Sequence, residues 1–139
     1  MRFMLIARAT PLSESGLPPD PRLMAAIGEL MAREGARGRL IGGEGLAPSA
    51  QGALGKLKNG KITFTDGPYA EAKELVGGYA IVRVKDKAEA LEMAREFLQV
   101  HADVLGPAFE MYSEIRQIHE FEDVAPSPGA PEFHGVPAN

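Results

Sequence analysis

The chemistry this chain can offer is concentrated between Glu44 and Tyr79. Asp66 heads the run Asp66-Gly67-Pro68-Tyr69-Ala70-Glu71-Ala72-Lys73-Glu74. A carboxylate held beside a cleft can act as a general base or bind a polar ligand, which makes Asp66 the candidate catalytic residue. The same aspartate also suits a turn, where its oxygens accept hydrogen bonds from nearby backbone N–H groups. Tyr69 and Tyr79 each join an apolar ring to a polar tip, a combination that lines ligand pockets, although a strand tyrosine is also an ordinary core or interface residue. Lys73 with Glu71 or Glu74 can hold a charged substrate, or stand as a solvated face whose ion pairs contribute little. Glu44 lies between glycines in a strand-like stretch. Turned inward it needs a cation, and Arg8 or Arg116 can supply one. The candidate ligand-binding set is therefore Glu44, Asp66, Tyr69, Glu71, Lys73 and Tyr79.

Other chemistries are set aside by what the chain lacks. It has no cysteine, so thiol catalysis, disulfides and cysteine–zinc sites are excluded, in keeping with a reducing compartment. Gly42-Gly43-Glu44-Gly45 has no following Lys-Ser or Lys-Thr and opens no helix, so it is not a phosphate loop. His101, His119 and His134 have no mutual metal-ligand spacing. His119 beside Glu120 and Glu122 can attract a metal, but an exposed terminal histidine is the commoner outcome; neither a metal nor a cofactor is expected. Ser13, Ser15, Ser49, Ser113 and Ser127 have no nucleophile-elbow context. The net charge is −4, from 15 basic and 19 acidic residues. The densest basic stretch, Lys56, Lys58 and Lys61, reads as a solvated hairpin, so direct nucleic-acid binding is not expected. No run approaches the ~20 apolar residues of a membrane span, and Met1 to Arg8 is too short for a signal peptide. A soluble, cytoplasmic protein without membrane contact is expected.

The elements that must position these residues follow from patterning. Phe3, Leu5 and Ala7 alternate with Met4, Ile6 and Arg8, both sets mostly apolar, as in a central strand buried on both faces. Residues 13–19 read as loop. Asp20-Pro21 opens a helix over about 20–34 by side-chain capping and a first-turn proline, with Leu23, Ile27, Leu30 and Met31 on one face and Gly35 as its stop. Residues 40–46 form a glycine-rich strand, where glycine permits a bulge or a close backbone approach. Ala53 to Leu57, Lys58-Asn59-Gly60-Lys61 and Ile62 to Thr65 make a hairpin, because Asn-Gly supplies the positive φ angles of a type I′ turn. Asp66-Gly67-Pro68 turns out of it, and Tyr69 to Leu75 is too short to stand as a helix of its own. Tyr79 to Val84 is a further strand. Asp86 caps a second helix over about 87–99, with Gly106-Pro107 well past its end, and Met111 to His119 is the last strand. Met24, Met31 and Met93 fall on helix stripes as core filler.

The order β-α-β-β-β-α-β with two helices on one face of an antiparallel sheet is α+β, and a ferredoxin-like split β-α-β is the best single match. At 139 residues one domain is expected, without need of a disulfide or metal to fold. Apolar residues on both faces of the first strand argue that the open sheet face is covered, and a homodimer would cover it. The domain spans 1–123. The Pro- and Gly-rich tail 124–139 has no core of its own and is expected to lie against something else, such as a partner subunit.

Asp66-Gly67-Pro68-Tyr69-Ala70-Glu71-Ala72-Lys73-Glu74, followed by Val76-Gly77-Gly78-Tyr79, resembles the signature of the DGPF family within the YCII-related group, with Tyr69 where Phe is usual. Arg2-Phe3-Met4-Leu5-Ile6, Gly42-Gly43-Glu44-Gly45-Leu46 and Glu114-Ile115-Arg116 resemble its opening, second and closing strands, so the resemblance covers about 1–123. It implies a ferredoxin-like domain that pairs into a dimeric α+β barrel with a cleft in or beside the joined sheets. It also implies an association with sigma factors, and no established reaction. Some YCII relatives have a His–Asp pair suspected of catalysis, and no matching histidine stands near the first helix here. The leading expectation is a dimeric small-molecule-binding or accessory domain whose cleft is lined by the 66–73 loop, Glu44 and Tyr79. The alternatives are a cofactor-independent enzyme using Asp66 as base on a small organic acid or lactone, and a sigma-factor-associated interaction module.

Overall fold

The computed structural model describes residues 1–120; residues 121–139, comprising the end of the expected 1–123 domain with Glu122 and the whole tail 124–139 with His134, lie outside the described residues. Within them the chain is mixed α+β. β1 (Arg2–Arg8) is central, pairing antiparallel with β5 (Val76–Arg83) on one side and β6 (Ser113–Gln117) on the other. β2 (Leu40–Gly45) pairs antiparallel with the far edge of β5, giving the order β2-β5-β1-β6. β3 (Ala53–Lys58) and β4 (Lys61–Asp66) form a separate two-stranded sheet. The described residues thus hold one strand more than the expected order, and the middle hairpin does not extend the main sheet. Between β2 and the hairpin the chain makes a 3₁₀ turn, Ser49–Gln51, and β3 and β4 pair only with each other.

Strand alternation sorts the sheet residues by face. Phe3 is opposite Val82 and Leu5 opposite both Ala80 and Ile115, so these residues share the face that the helices cover. The core there is Phe3, Val82, Val84, Ala90 and Met93, with Leu5, Leu40 and Ile115 packed against it. Met4, Ile6, Tyr79 and Ile81 fall on the other face and are half-buried.

α2 (Pro21–Ala36) starts as its sequence requires: the Asp20 carboxylate accepts the Arg22 N–H at 2.8 Å, and Pro21 takes the first position. It runs past Gly35. The turn out of it is made at Gly38, whose φ of 73° is one that glycine adopts without a Cβ penalty. α3 (Lys87–Leu105) is likewise longer than its stripe suggests. Val100, His101, Val104 and Leu105 continue the helix, and Gly106, at φ 87°, is its cap rather than a distant turn residue. A short helix α1 (Pro11–Glu14) lies where loop is expected, held by reciprocal bonds between Thr10 and Ser13. β5 begins at Val76, earlier than expected, and Ala72–Glu74 is a 3₁₀ turn. The hairpin turn is as expected, with φ of 52° at Asn59 and 73° at Gly60.

A charge cluster joins the end of α2 to β2 and α3. Glu34 is 3% exposed and accepts from Arg39 at 2.6 Å, Arg33 at 3.1 Å and Arg37 at 3.3 Å, while Arg39 also donates to Glu89 at 3.0 Å. The Arg39 hydrogen bond, with help from Arg33 and the surrounding positive charge, holds the Glu34 carboxyl below the usual carboxylate range.

Candidate ligand-binding site

A cavity of about 670 Å³ lies between α2, α3 and the sheet. Its origin is in the sheet residues. Near Phe3 and Val84 the helix-facing side chains pack against Ala90 of α3 and fill the interface. Toward the other end the register places Ala7 opposite Gly78, Gly78 opposite Gly45, and Ala80 opposite Gly43. These five small residues floor the cavity and leave the helices nothing to interdigitate with. Gly43 is required for a second reason, and Gly78 is tightly placed for the same one. β2 and β5 approach so closely that a β-carbon on Gly43 would stand 2.6 Å from the Tyr79 carbonyl oxygen, and one on Gly78 would stand 3.0 Å from that of Glu44.

The walls are largely apolar. Leu23, Ile27 and Met31 come from α2, Phe97 and Leu105 from α3, and Leu12 and Leu17 from the α1 region. His101 is the buried polar residue of α3 that lines the cavity, at 8% exposed. Its Nδ1 donates to the Phe97 carbonyl at 2.8 Å, which in the neutral ring leaves Nε2 as an acceptor. Phe97 and Phe109 flank the imidazole, with ring centroids 4.6 Å and 6.1 Å away. Sequence reasoning tested His101 only for metal spacing; the signal it offered was an aromatic residue one helical turn before it.

The expected site residues do not gather in one place. Glu44 and Tyr79 are direct cross-strand partners on the sheet face opposite the helices and touch the cavity only at its rim; Glu44 is exposed and Tyr79 half-buried. Asp66 and Glu71 are exposed, Tyr69 is half-buried, and none of the three lines the cavity. Lys73 lies in the 3₁₀ turn Ala72–Glu74. Neither Arg8 nor Arg116 pairs with Glu44. Both bind Glu114 instead, at 2.5 Å and 3.1 Å, and together they hold its carboxyl below the ordinary range, Arg116 first. Register sets Glu114 of β6 diagonally across from Arg8 of β1, and Arg116 is its next neighbour on the same face of β6, whereas β5 separates Glu44 from β1.

The Asp66-Gly67-Pro68 turn serves the cavity indirectly. Gly67 donates its N–H to the Gly52 carbonyl at 2.9 Å and lies against Ser49 in the 3₁₀ turn. Glu14 grips the same turn from the opposite side, accepting the Ser49 N–H at 3.1 Å and its hydroxyl at 2.6 Å. Pro48 and Gln51, on either side of this anchored segment, line the cavity.

The YCII-related domain family matches residues 1–106, from β1 to the end of α3, including the whole floor of the cavity and His101. The chain belongs to the YCII-related family. No curated protein matches it in sequence. Among the described residues, no helix is long and apolar enough to cross a membrane.

Proposed function

We propose that this chain is a small-molecule-binding domain that takes an apolar ligand between its helix pair and the glycine floor of its sheet. The observation that carries the reading is that floor, where Ala7, Gly43, Gly45, Gly78 and Ala80 keep about 670 Å³ open. Pockets for drug-sized molecules fall in the range of roughly 300–1,000 Å³, apolar with a few polar groups that fix orientation. His101 supplies one such group through Nε2, so the ligand class is an apolar body carrying a hydroxyl or a protonated carboxyl. The Asp66-Gly67-Pro68-Tyr69 turn, read as the DGPF branch of the family, supports the wall from behind.

The same reading includes a homodimer of ferredoxin-like domains. The strand order β2-β5-β1-β6 and helices packed on one face support the domain type. Half-buried Met4, Ile6, Tyr79 and Ile81 on the open face support its coverage by a second sheet, as in a dimeric α+β barrel. Light scattering should then give the mass of two chains, and Ile81→Glu the mass of one.

The ligand reading is tested by thermal shift with decanol and dodecanol. Wild type and Asp66→Asn should both be stabilised, while Leu12→Trp, placed at the half-exposed edge of the cavity, should lose the response. If neither compound shifts wild type, or if Leu12→Trp responds as wild type does, the cavity is not the binding site. Loss of the response in Asp66→Asn alone would move the contact to the motif carboxylate.

A further inference from the structure

The β3–β4 hairpin stands apart from the rest of the fold. Among the described residues its strands pair only with each other, and every residue of both is exposed. Its base is nevertheless fixed, by the Gly67 to Gly52 hydrogen bond and the Gly67–Ser49 contact. Its two faces differ. The register sets Leu57 opposite Ile62 and Gly55 opposite Phe64. Leu57, Ile62 and Phe64 therefore share one face, at 74%, 69% and 76% exposed. Lys56, Lys58 and Lys61 share the other.

A two-stranded hairpin is marginal in water by itself, and a contiguous apolar patch bordered by polar residues marks an interaction surface. Charge selects the occupant. The hairpin carries three of the chain's 15 basic residues but one of its 19 acidic ones, so the remainder of the chain is acidic. A second copy offers that acidic exterior. We infer that the hairpin is an arm that folds over a second copy of this chain, laying Leu57, Ile62 and Phe64 against it. Lys56, Lys58 and Lys61, on the arm's outward face, add a long-range attraction toward the partner's net negative charge. This rests on the homodimer reading and adds to it a contact that the sheet face does not require.

The test uses the full chain. Because the chain has no cysteine, Ile62→Cys carries a single benzophenone-maleimide label at the middle of the apolar face. Dimers are formed from a mixture of ordinary and isotopically heavy chains and irradiated. Cross-linked peptides joining a light arm to a heavy body are the expected result. Leu57→Ser combined with Phe64→Ser should also weaken the dimer at least tenfold in light scattering across dilution, with wild-type circular dichroism. A dimer whose arm cross-links only within its own chain, and whose affinity ignores the double substitution, overturns the arm contact and leaves the sheet-face dimer standing. A monomer at every concentration overturns both.

Discussion

Gly67 and Ser49 are in direct backbone contact: a β-carbon built on Gly67 would stand 1.7 Å from the Ser49 carbonyl oxygen and 2.6 Å from its carbon. No side-chain rotation relieves a clash between backbone atoms. The contact ties the Asp66-Gly67-Pro68 turn to the 3₁₀ turn Ser49–Gln51, which Glu14 clamps from α1. Three segments distant in sequence thus meet at one serine, and the cavity wall at Pro48 and Gln51 is held by their agreement.

Gly67→Ala should therefore cost about 2–3 kcal/mol, as overpacking does in a site that cannot relax. Urea unfolding checks this through the midpoint. An unchanged midpoint would mean that the turn moves away from Ser49 freely.

Ser49→Ala removes the hydroxyl bonded to the Glu14 carboxylate at 2.6 Å and should cost about 1.5–2 kcal/mol. Combined with Gly67→Ala, the loss should be less than the sum, because both substitutions loosen the same turn. A double-mutant cycle in urea measures the coupling, and strict additivity would separate the two contacts.

The Glu34 cluster gives stability a definite pH dependence. Arg39 and its neighbours lower the folded-state carboxyl below its unfolded value. The contribution is complete above the unfolded carboxylate range and is lost as pH falls through the lower folded value. Glu34→Gln should weaken the fold by about 2 kcal/mol at neutral pH, since it removes hydrogen bonds to a charged group. It should also flatten the acid limb of a plot of stability against pH. A limb as steep as that of wild type would assign the acid sensitivity to other carboxylates.

Gly60→Ala places a β-carbon at φ 73°, a strain of about 1 kcal/mol. Since β3 and β4 pair only with each other among the described residues, the loss should be local. Amide exchange within 54–65 should quicken while the global melting temperature holds. A matching drop in global stability would show that the hairpin folds as one unit with the main sheet.

Much of the fold was legible because it is decided locally. Asn59-Gly60 selects its turn by backbone preference, Asp20 caps α2 with its own side chain, and apolar residues on both sides of β1 mark a central strand. Helix ends were less legible. Gly35 carries the same local signal as Gly38, and only the path of the chain into β2 decides between them. The capping role of Gly106 depended on α3 continuing through His101 to Leu105.

The sequence by itself determined the family, the α+β class, the hairpin turn and the presence of glycines at Gly42, Gly43, Gly45, Gly77 and Gly78. Tertiary structure alone decided what those glycines do. Gly43 meets Ala80, and Gly78 meets both Ala7 and Gly45, only through hydrogen-bond register between strands far apart in the chain. Register likewise gave Arg8 to Glu114 and left Glu44 at the edge, and the fold set Gly67 against Ser49. Local preference sets how each segment bends; which small residues end up side by side, and so where space is left open, is set by how strands align across the sheet.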